Sequence, residues 1–213
     1  MDPLSSLRSE AEVALRRPRS TDEYKKTVEQ MLDEVLRISE MVQLLLQLSR
    51  VESVQIIQPV PINISRIIES VTKQKQNAAK QKNIEIDIDC HPDLYVKAEG
   101  TYIEEIVNNL LDNAVKYTNS NGFIKVQLRR SGGKAVLHVS DSGVGFTGKT
   151  KTRLFERFFR APESKVQEQL GSGLGLSLVK AIVEQYDGRI EAYSDGIGKG
   201  STSVVQLPLV KKT

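Results

Sequence analysis

Cysteine, histidine and tryptophan are scarce in this chain of 213 residues, and their scarcity excludes several kinds of site. Cys90 is the single cysteine, which excludes an internal disulfide framework and a cysteine-based metal cluster. His91 and His138 are the only histidines, which excludes a multi-histidine zinc site. Since there is no tryptophan and only six tyrosines and five phenylalanines, we expect no aromatic surface for stacking single-stranded nucleic acid.

An excess of one charge and a long apolar run are also missing. The 30 Lys and Arg residues nearly balance 27 Asp and Glu residues, and the net charge of +3 is too small to indicate nucleic-acid binding. No stretch reaches the ~18 uninterrupted apolar residues that a membrane helix needs, and the first residues do not resemble a signal peptide. With 39% apolar and 27% charged residues, the composition predicts a soluble globular chain of one domain, or of one domain with an appendage.

Apolar residues recur at helical spacing through residues 1–52. A first helix is predicted over 3–17, and a second from Thr21 to about Ser49, after the break at Pro18. The second helix carries an apolar seam with alternating steps of four and three residues. The seam consists of Tyr24, Val28, Met31, Val35, Ile38, Val42 and Leu45. Because so short a hairpin cannot bury its own faces, we expect a homodimer with a four-helix bundle. The alternative is that the seam packs on the rest of the same chain.

A mixed pattern of helices and strands follows over residues 63–213, after a linker at 53–62. Pro59, Pro61 and the apolar residues around them indicate a linker or a short strand there. Helices are predicted at 64–81, 101–117 and 174–186, between segments in which apolar and polar residues alternate. Those strands are predicted at 84–89, 123–129, 135–141, 189–194 and 203–209. Since some of them are joined by short turns, we expect an α/β (α+β) fold with a mixed sheet.

The predicted helix at 101–117 has an asparagine-rich polar face. Asn108, Asn109 and Asn113 lie within six positions, although asparagine is a poor helix former. Carboxamide oxygens suit a hard cation such as Mg²⁺, which also retains water and phosphate oxygens. Taken alone, however, this face is more simply interpreted as solvated.

Two glycine-rich segments are candidates for contact with a ligand. Asp141-Ser-Gly143-Val-Gly145 follows a strand, where glycines permit close approach of the backbone and the carboxylate can accept from an amine such as adenine N6. Gly171-Ser-Gly173-Leu-Gly175-Leu opens an amphipathic helix, whose free N–H groups and dipole favour phosphate. Its spacing is G-x-G-x-G, which differs from the dinucleotide-binding G-x-G-x-x-G pattern.

Residues 143–150 also match the Walker A pattern after a strand. Asp141 precedes this match, whereas a Walker B acid lies downstream, and no later aspartate ends an apolar strand. The following segment, 153–162, is short and is stopped by a proline. A P-loop is therefore the less favoured alternative.

The motifs together, in this order, resemble those of two-component sensor histidine kinases. The resemblance covers residues 3–210 and is specific as a set. It rests on Glu105…Asn109-Leu-Leu-Asp-Asn113-Ala-Val-Lys116-Tyr117, Asp141-Ser-Gly143-Val-Gly145, Leu154-Phe155-Glu156-Arg157-Phe158-Phe159-Arg160, Gly171-Ser-Gly173-Leu-Gly175-Leu176 and Gly198-Lys-Gly200-Ser201-Thr202. It implies a two-layer α/β sandwich that holds ATP between helices and a mixed sheet.

The resemblance also implies roles for individual residues. Asn113 would ligate Mg²⁺ with support from Asn109, and Asp141 would bind adenine N6. Lys116 and Tyr117 would contact the phosphate and sugar side of the nucleotide. The other implied nucleotide-binding residues are Gly143, Gly145, Arg160, Gly171, Gly173, Leu174, Gly175, Leu176 and Thr202. Residues 146–171 would form a mobile lid, anchored by Phe155, Phe158 and Phe159.

Asn109 separates this pattern from similar ATPases of the gyrase and heat-shock types, in which a glutamate at this position activates water. An amide cannot act as a general base. We therefore expect ATP to be held without efficient hydrolysis and its γ-phosphate to be offered to a side chain instead.

The hairpin departs from the family pattern at its start. Pro3-Leu4 matches the end of the family's phosphoacceptor motif, so the acceptor histidine would fall just before residue 1. We expect neither His91, in a turn, nor His138, inside a strand, to replace it. The chain is therefore expected to bind ATP without phosphorylating itself.

The resemblance implies a place in a signalling pathway. The longer protein would pass the phosphoryl group to a response regulator, and this chain would be the cytoplasmic part of a membrane-bound receptor. A non-catalytic nucleotide-binding and dimerisation module, acting as a scaffold or inhibitor, is the alternative.

Overall fold

The structure, a computed structural model, describes residues 3–18, 20–52, 59–161 and 172–212. Its first part is a helical hairpin of α1 (Pro3–Leu15) and α2 (Thr21–Glu52). A capping box starts α2, because Glu23 N donates to Ser20 Oγ (3.3 Å) while Ser20 N donates to Glu23 Oε2 (2.8 Å). The cap is therefore Ser20, one residue before the expected start at Thr21.

The remaining elements alternate strands and helices. They are β1 (Val60–Asn63), α3 (Ile64–Gln81), β2 (Glu85–Cys90), β3 (Tyr95–Ala98), α4 (Gly100–Tyr117), β4 (Phe123–Ser131), β5 (Lys134–Asp141), α5 (Gly148–Lys151), α6 (Gly175–Gln185), β6 (Arg189–Tyr193) and β7 (Ser201–Pro208). Residues 60–62, at the end of the predicted linker, belong to β1, which is the short strand that the sequence left open there.

Five strands form one mixed sheet in the order β2-β4-β5-β7-β6. The β2–β4 pair is parallel, and the other three pairs are antiparallel. A separate antiparallel pair joins β1 to β3. The expected mixed sheet is confirmed.

The helices α3, α4 and α6 cover one face of the five-stranded sheet, which makes two layers. Alternation in β4 turns Ile124, Val126 and Leu128 to the helices, and all three are fully buried. Asp141 has the same phase in β5 as the buried Leu137 and Val139, so it reaches the helix side of the sheet. The fold thereby brings a carboxylate to the edge of an apolar core.

The last turns of α2 pack on the α/β layers. Leu48 and Val51 are buried within the same core cluster as the residues of α4 and α6. The heptad seam earlier in α2 does not do so, since Val28, Val35 and Val42 are 61%, 48% and 49% exposed. Met31 and Ile38, which alternate with these valines in the seam, are half-buried, so within the described residues the seam is covered only in part.

Across the described ranges, no helix combines the length and the apolar character that a membrane crossing requires.

Candidate functional site

A cavity of about 320 Å³ lies between α4, the start of α6 and the ends of β5 and β7. That volume is at the lower end of the range for small-molecule sites. Most residues expected to bind nucleotide line it together. They are Asn109, Asn113, Lys116, Tyr117, Asp141, Gly145, Arg160, Gly173, Gly175 and Leu176.

Four expected residues are placed otherwise. Gly143 and Thr202 are not among the residues lining the cavity, and Leu174 is fully buried in the core. Thr202 Oγ1 instead donates to Ser140 Oγ (2.9 Å). Gly171 lies outside the described residues.

Asp141 is the only carboxylate of the site whose two oxygens are both fixed by hydrogen bonds within the described residues. Gly143 N donates to Oδ1 (2.8 Å), and Ser201 Oγ donates to Oδ2 (2.5 Å). Burial raises the pKa of Asp141, while these hydrogen bonds act in the opposite direction. Since each carboxylate oxygen retains a further acceptor position, Asp141 is oriented to accept from an amine in the cavity.

The glycine-rich segment after β5 is tied to the one before β7. Gly200 N donates to Gly143 O (3.0 Å), and Gly198 N donates to Val144 O (2.7 Å). Gly145 has a φ of +63°, and a Cβ there would lie 2.2 Å from Gly196 O. These contacts require glycine, because any side chain would separate the two segments.

The Walker A alternative is not supported by the local structure. After Gly145 the chain forms only the four-residue helix α5, which Thr147 caps. Lys149 is exposed and is not among the residues lining the cavity. The segment therefore does not form a phosphate-cradling loop at the start of a long helix.

The two cavity asparagines of α4 have different surroundings. Asn109 Nδ2 donates to Glu105 O (2.9 Å), and its Oδ1 is 2.6 Å from the position that a Cβ on Gly175 would occupy. Asn113 is half-buried, lines the cavity and makes no side-chain hydrogen bond within the described residues. Its carboxamide oxygen is therefore the one available to a cation or ligand.

The first turn of α6 faces the cavity with backbone groups. Gly175 begins the helix, and no side chain caps it, since Leu174 precedes it. The unpaired N–H groups of a first helical turn carry partial positive charge. This end of the cavity therefore suits phosphate oxygens.

The phenylalanine-containing segment, residues 154–160, also borders the cavity. Phe158 N donates to Gly173 O (3.0 Å), and Phe159 lines the cavity under the guanidinium of Arg153 (4.5 Å from the ring centroid). The Phe158 side chain itself is 52% exposed, with a φ of +61°. Residues 162–171 of the expected lid, 146–171, lie outside the described residues.

Cationic groups complete the lining. Lys116 Nζ is 5.2 Å from the centroid of the Tyr117 ring, and both residues border the cavity. Burial raises the pKa of Tyr117, and the positive charge of Arg160 acts in the opposite direction. Lys116 and Arg160 therefore bring two positive charges to a cavity whose lining also includes the carboxylates of Asp112 and Asp141.

Sequence reasoning gave no nucleotide-binding role to several other lining residues, among them Ser201, Ser203 and Leu44. The two serines share the phase of the buried Val205 and Leu207 in β7, so strict alternation would have selected Ser201 instead of Thr202. Leu44 belongs to α2, and no local pattern indicates that it reaches this cavity.

Two family models match the chain. The model of histidine kinase-, DNA gyrase B- and HSP90-like ATPases matches residues 98–211. That range contains every residue lining the cavity except Leu44. The model of the His Kinase A (phospho-acceptor) domain matches residues 2–54, the region of the hairpin.

Individual relatives agree with these matches. The sensor-like histidine kinase SenX3 of Mycobacterium tuberculosis is 29% identical over 207 residues, which are 97% of this chain and 50% of SenX3. The sensor protein kinase PmrB of Pseudomonas aeruginosa is 34% identical over 200 residues, which are 93% of this chain and 40% of PmrB. The chain thus spans half or less of the length of these two relatives.

A solved structure shows the same fold. The histidine kinase ThkA, in complex with the response regulator protein TrrA, matches with a TM-score of 0.76 at 21% identity, covering 98% of this chain and 58% of that one. Together with the family models, the ordered motifs and the shared cavity lead to one conclusion. The chain belongs to the two-component sensor histidine kinases, and its residues 98–211 form the ATP-binding domain of that family.

Proposed function

We propose that this chain binds ATP with Mg²⁺ and is the catalytic and dimerisation portion of a kinase that transfers the γ-phosphate to a histidine. The observation that carries the proposal is the shared cavity: Asn113 and Asp141, 28 positions apart in sequence, line it together. Asp141 is fixed by two hydrogen bonds, and the amide of Asn113 makes none within the described residues. One end of the cavity therefore suits a purine amine, and the other suits phosphate and a cation.

The residues fit Mg²⁺ better than a metal held by protein ligands alone. The described part of the chain holds no group of three or more His, Cys, Asp or Glu side chains that could bind a metal. Mg²⁺ commonly takes one or two protein oxygens and completes its shell with water and phosphate oxygens. Asn113 supplies such an oxygen, and a bound Mg²⁺ would neutralise part of the triphosphate charge there.

The transfer itself requires little covalent chemistry from this chain. The bond between the γ-phosphorus and the bridging oxygen breaks, a bond to an imidazole nitrogen forms, and ADP leaves. Lys116, Arg160 and the N–H groups that open α6 would hold the phosphates in place. Asn109 contributes no base, which disfavours transfer to water.

The acceptor histidine is proposed to lie outside this chain. His91 follows β2, where its Nδ1 is 2.6 Å from Pro92 O. His138 lies within β5, one residue out of phase with the cavity-lining Val139 and Asp141. We therefore expect no autophosphorylation by this chain alone.

Dimerisation through the hairpin is part of the same proposal. The exposed seam of α2 supports it, since three of its valines are about half exposed or more in the single chain. ThkA, which shares the fold, was solved in complex with a response regulator protein, and this supports relay to a partner of that kind. Action in the cytoplasm follows from the same proposal.

A non-catalytic module that binds nucleotide and dimerises is the second candidate. The position of both histidines outside the hairpin favours it. Such a module would bind nucleotide at the same site as the proposed kinase, but it would not transfer the γ-phosphate.

One assay separates these functions. The chain is mixed with γ-labelled ATP, Mg²⁺ and a separate hairpin fragment from a related kinase that carries the acceptor histidine. Acid-labile label on the fragment would support the kinase, whereas nucleotide binding without label would support the non-catalytic module. Steady release of phosphate would indicate a hydrolase and contradict both.

The matched control uses two asparagines of the same helix. Asn113→Ala is expected to lower Mg-ATP affinity at least about 100-fold, since it removes the oxygen offered to the cation. Asn108→Ala, at a position that is not among those lining the cavity, is expected to leave affinity unchanged. Equal affinities for the two variants would refute the ligand role of Asn113.

A further inference from the structure

The last turns of α2 carry a second face, distinct from the heptad seam. Leu44, Gln47, Leu48 and Val51 are separated by steps of three, one and three, so they lie on one side of the helix. Leu48 and Val51 are buried, and Leu44 packs on the core and lines the nucleotide cavity. We call these four residues the docking face.

A single polar side chain interrupts this apolar face. Gln47 is half-buried, and its Nε2 donates to Glu105 Oε1 on α4 (3.3 Å). When α2 packs on α4, the amide of Gln47 loses hydrogen bonds to water. This loss disfavours the packing unless a protein group replaces them. The hydrogen bond to Glu105 meets that requirement, so this polar side chain is matched to a partner on α4.

The partner of Gln47 is itself in contact with the nucleotide site. Asn109 Nδ2 donates to Glu105 O (2.9 Å) and, at 3.5 Å, also approaches Glu105 Oε2. The two oxygens of one carboxylate are therefore divided between α2 and Asn109. On its other side, Asn109 Oδ1 lies 2.6 Å from the position that a Cβ on Gly175 would occupy, so the amide faces the start of α6.

We propose that Gln47 is a positioning residue, which holds the Glu105 carboxylate so that Asn109 keeps its orientation at the phosphate end of the cavity. The link runs from a helix of the hairpin to the nucleotide site through two hydrogen bonds. It rests on the proposed binding of ATP in this cavity. Because coupling between two sites is reciprocal, bound nucleotide would also strengthen the attachment of α2 to the ATP-binding domain.

The expected direction follows from the charges. Without the donor of Gln47, the Glu105 carboxylate has one fewer partner and is free to turn towards the cavity. A negative charge there repels the phosphates, and Asn109 loses its second contact. Mg-ATP affinity should therefore fall, and ATP should be affected more than ADP because it carries the additional phosphate.

The test exchanges the donor and the acceptor. Gln47→Glu places two carboxylates together and is expected to lower Mg-ATP affinity about 5- to 20-fold by calorimetry. The double variant Gln47→Glu, Glu105→Gln restores an amide–carboxylate hydrogen bond and is expected to recover most of that loss. Gln43→Glu adds the same charge one turn earlier, at an exposed position of α2, and should change little.

A second measurement does not depend on nucleotide. In the full chain without ligand, the side-chain amide NMR signals of Asn109 should shift in Gln47→Glu and return towards their original positions in the exchanged pair. Asn109 signals and Mg-ATP affinity that are the same in Gln47→Glu and Gln43→Glu would overturn the proposal, as would a double variant no better than the single one. Failure of the unmodified chain to bind ATP would refute the proposed function, and the NMR comparison would still decide the role of Gln47.

Discussion

Apolar side chains are usually buried and carboxylates are usually exposed; the hairpin departs from the first rule and the ATP-binding domain from the second. Along α2, the apolar side chains of Val28, Val35 and Val42 remain in water. In the other part, the carboxylate of Asp141 is drawn away from water, and burial raises its pKa. An exposed apolar seam favours cover by another protein surface, whereas a buried and oriented carboxylate favours a polar ligand.

This difference in burial indicates what kind of partner each region binds: a small molecule for the ATP-binding domain and a protein surface for the hairpin. The ATP-binding domain closes its own apolar core, as the fully buried Ile68, Leu111 and Ile182 show, and retains a cavity for a small molecule. The hairpin has few buried apolar residues until its last turns reach that core. Each of the four predictions below alters one side of this contrast.

The largest expected effect comes from placing charge in the seam. Val28→Glu with Val35→Glu should weaken dimerisation more than about 1,000-fold, because unpaired carboxylates would be buried against each other. Sedimentation at several concentrations measures the dimer dissociation constant. Nucleotide affinity should be unaffected, since neither valine lines the cavity.

The control for the seam keeps the same change in charge. Gln30 and Gln43 are exposed positions of α2 outside the seam, so Gln30→Glu with Gln43→Glu should remain dimeric. If both pairs dissociate equally, the net charge of the helix is responsible and the seam has no special role.

A smaller effect is expected from filling the space between the glycine segments. Gly145→Ala should lower the free energy of unfolding by about 2–4 kcal/mol, because its positive φ is unfavourable for alanine and its Cβ would meet Gly196 O. Gly148→Ala has no atom within 4 Å of its new Cβ and should change stability by less than about 1 kcal/mol. Urea unfolding of both variants provides the measurement, and equal stabilities would contradict the tight contact.

The third prediction concerns Asp141, whose replacement is expected to weaken nucleotide binding and to stabilise the unliganded fold. Asp141→Asn should weaken binding of ATP and ADP alike, about 10- to 100-fold, because the charged acceptor for the purine amine is lost. At neutral pH the same change should stabilise the unliganded fold, since it removes a carboxylate that burial disfavours.

The pH dependence separates this effect from a general change in packing. The folded-state pKa of Asp141 is raised above its usual 3.8, so its carboxylate costs stability as the pH rises through that folded value. The stability gain of Asp141→Asn should therefore be larger at pH 7.5 than near pH 4. A gain that does not change with pH would show that burial of the charge is not its source.

The smallest effect is expected where water reaches both partners of an ion pair. Lys75 Nζ lies 2.6 Å from Asp112 Oδ1, and the two side chains are 25% and 61% exposed. Lys75→Ala should cost less than about 1 kcal/mol in thermal or urea unfolding. A loss of several kcal/mol would mean that this pair contributes to the fold as much as a buried contact does.

Helical periodicity gave the helices of the ATP-binding domain with little error. The range 64–81 coincides with α3, and the range 101–117 begins one residue after α4 does. These helices bury one side of a regular amphipathic pattern, so the pattern itself contains the information. β1 was harder to place because Pro59 precedes it and Pro61 lies within it. Its pairing with β3 also depends on residues more than 30 positions away.

The site was predictable as a set of residues, and less so as contacts. The motifs predicted that Asn109, Asn113 and Asp141 share one site, and all three line one cavity. The sequence does not show, however, that within the described residues Asn109 makes a side-chain hydrogen bond and Asn113 makes none. Thr202 and Ser201 are neighbours in sequence, and their faces of β7 follow from register. The contact of Gln47 with Glu105 spans 58 positions, and no local pattern contains it.

The position of β7 has a consequence for how the protein is made. β7 is the last strand in sequence order, yet it lies between β5 and β6 and supplies the Ser201 hydroxyl to Asp141. During synthesis, every other strand can leave the ribosome before the sheet is able to close. The cavity is therefore completed only after residues 201–208 have left the ribosome, because Ser201 and Ser203 line it and Ser201 holds Asp141 in place.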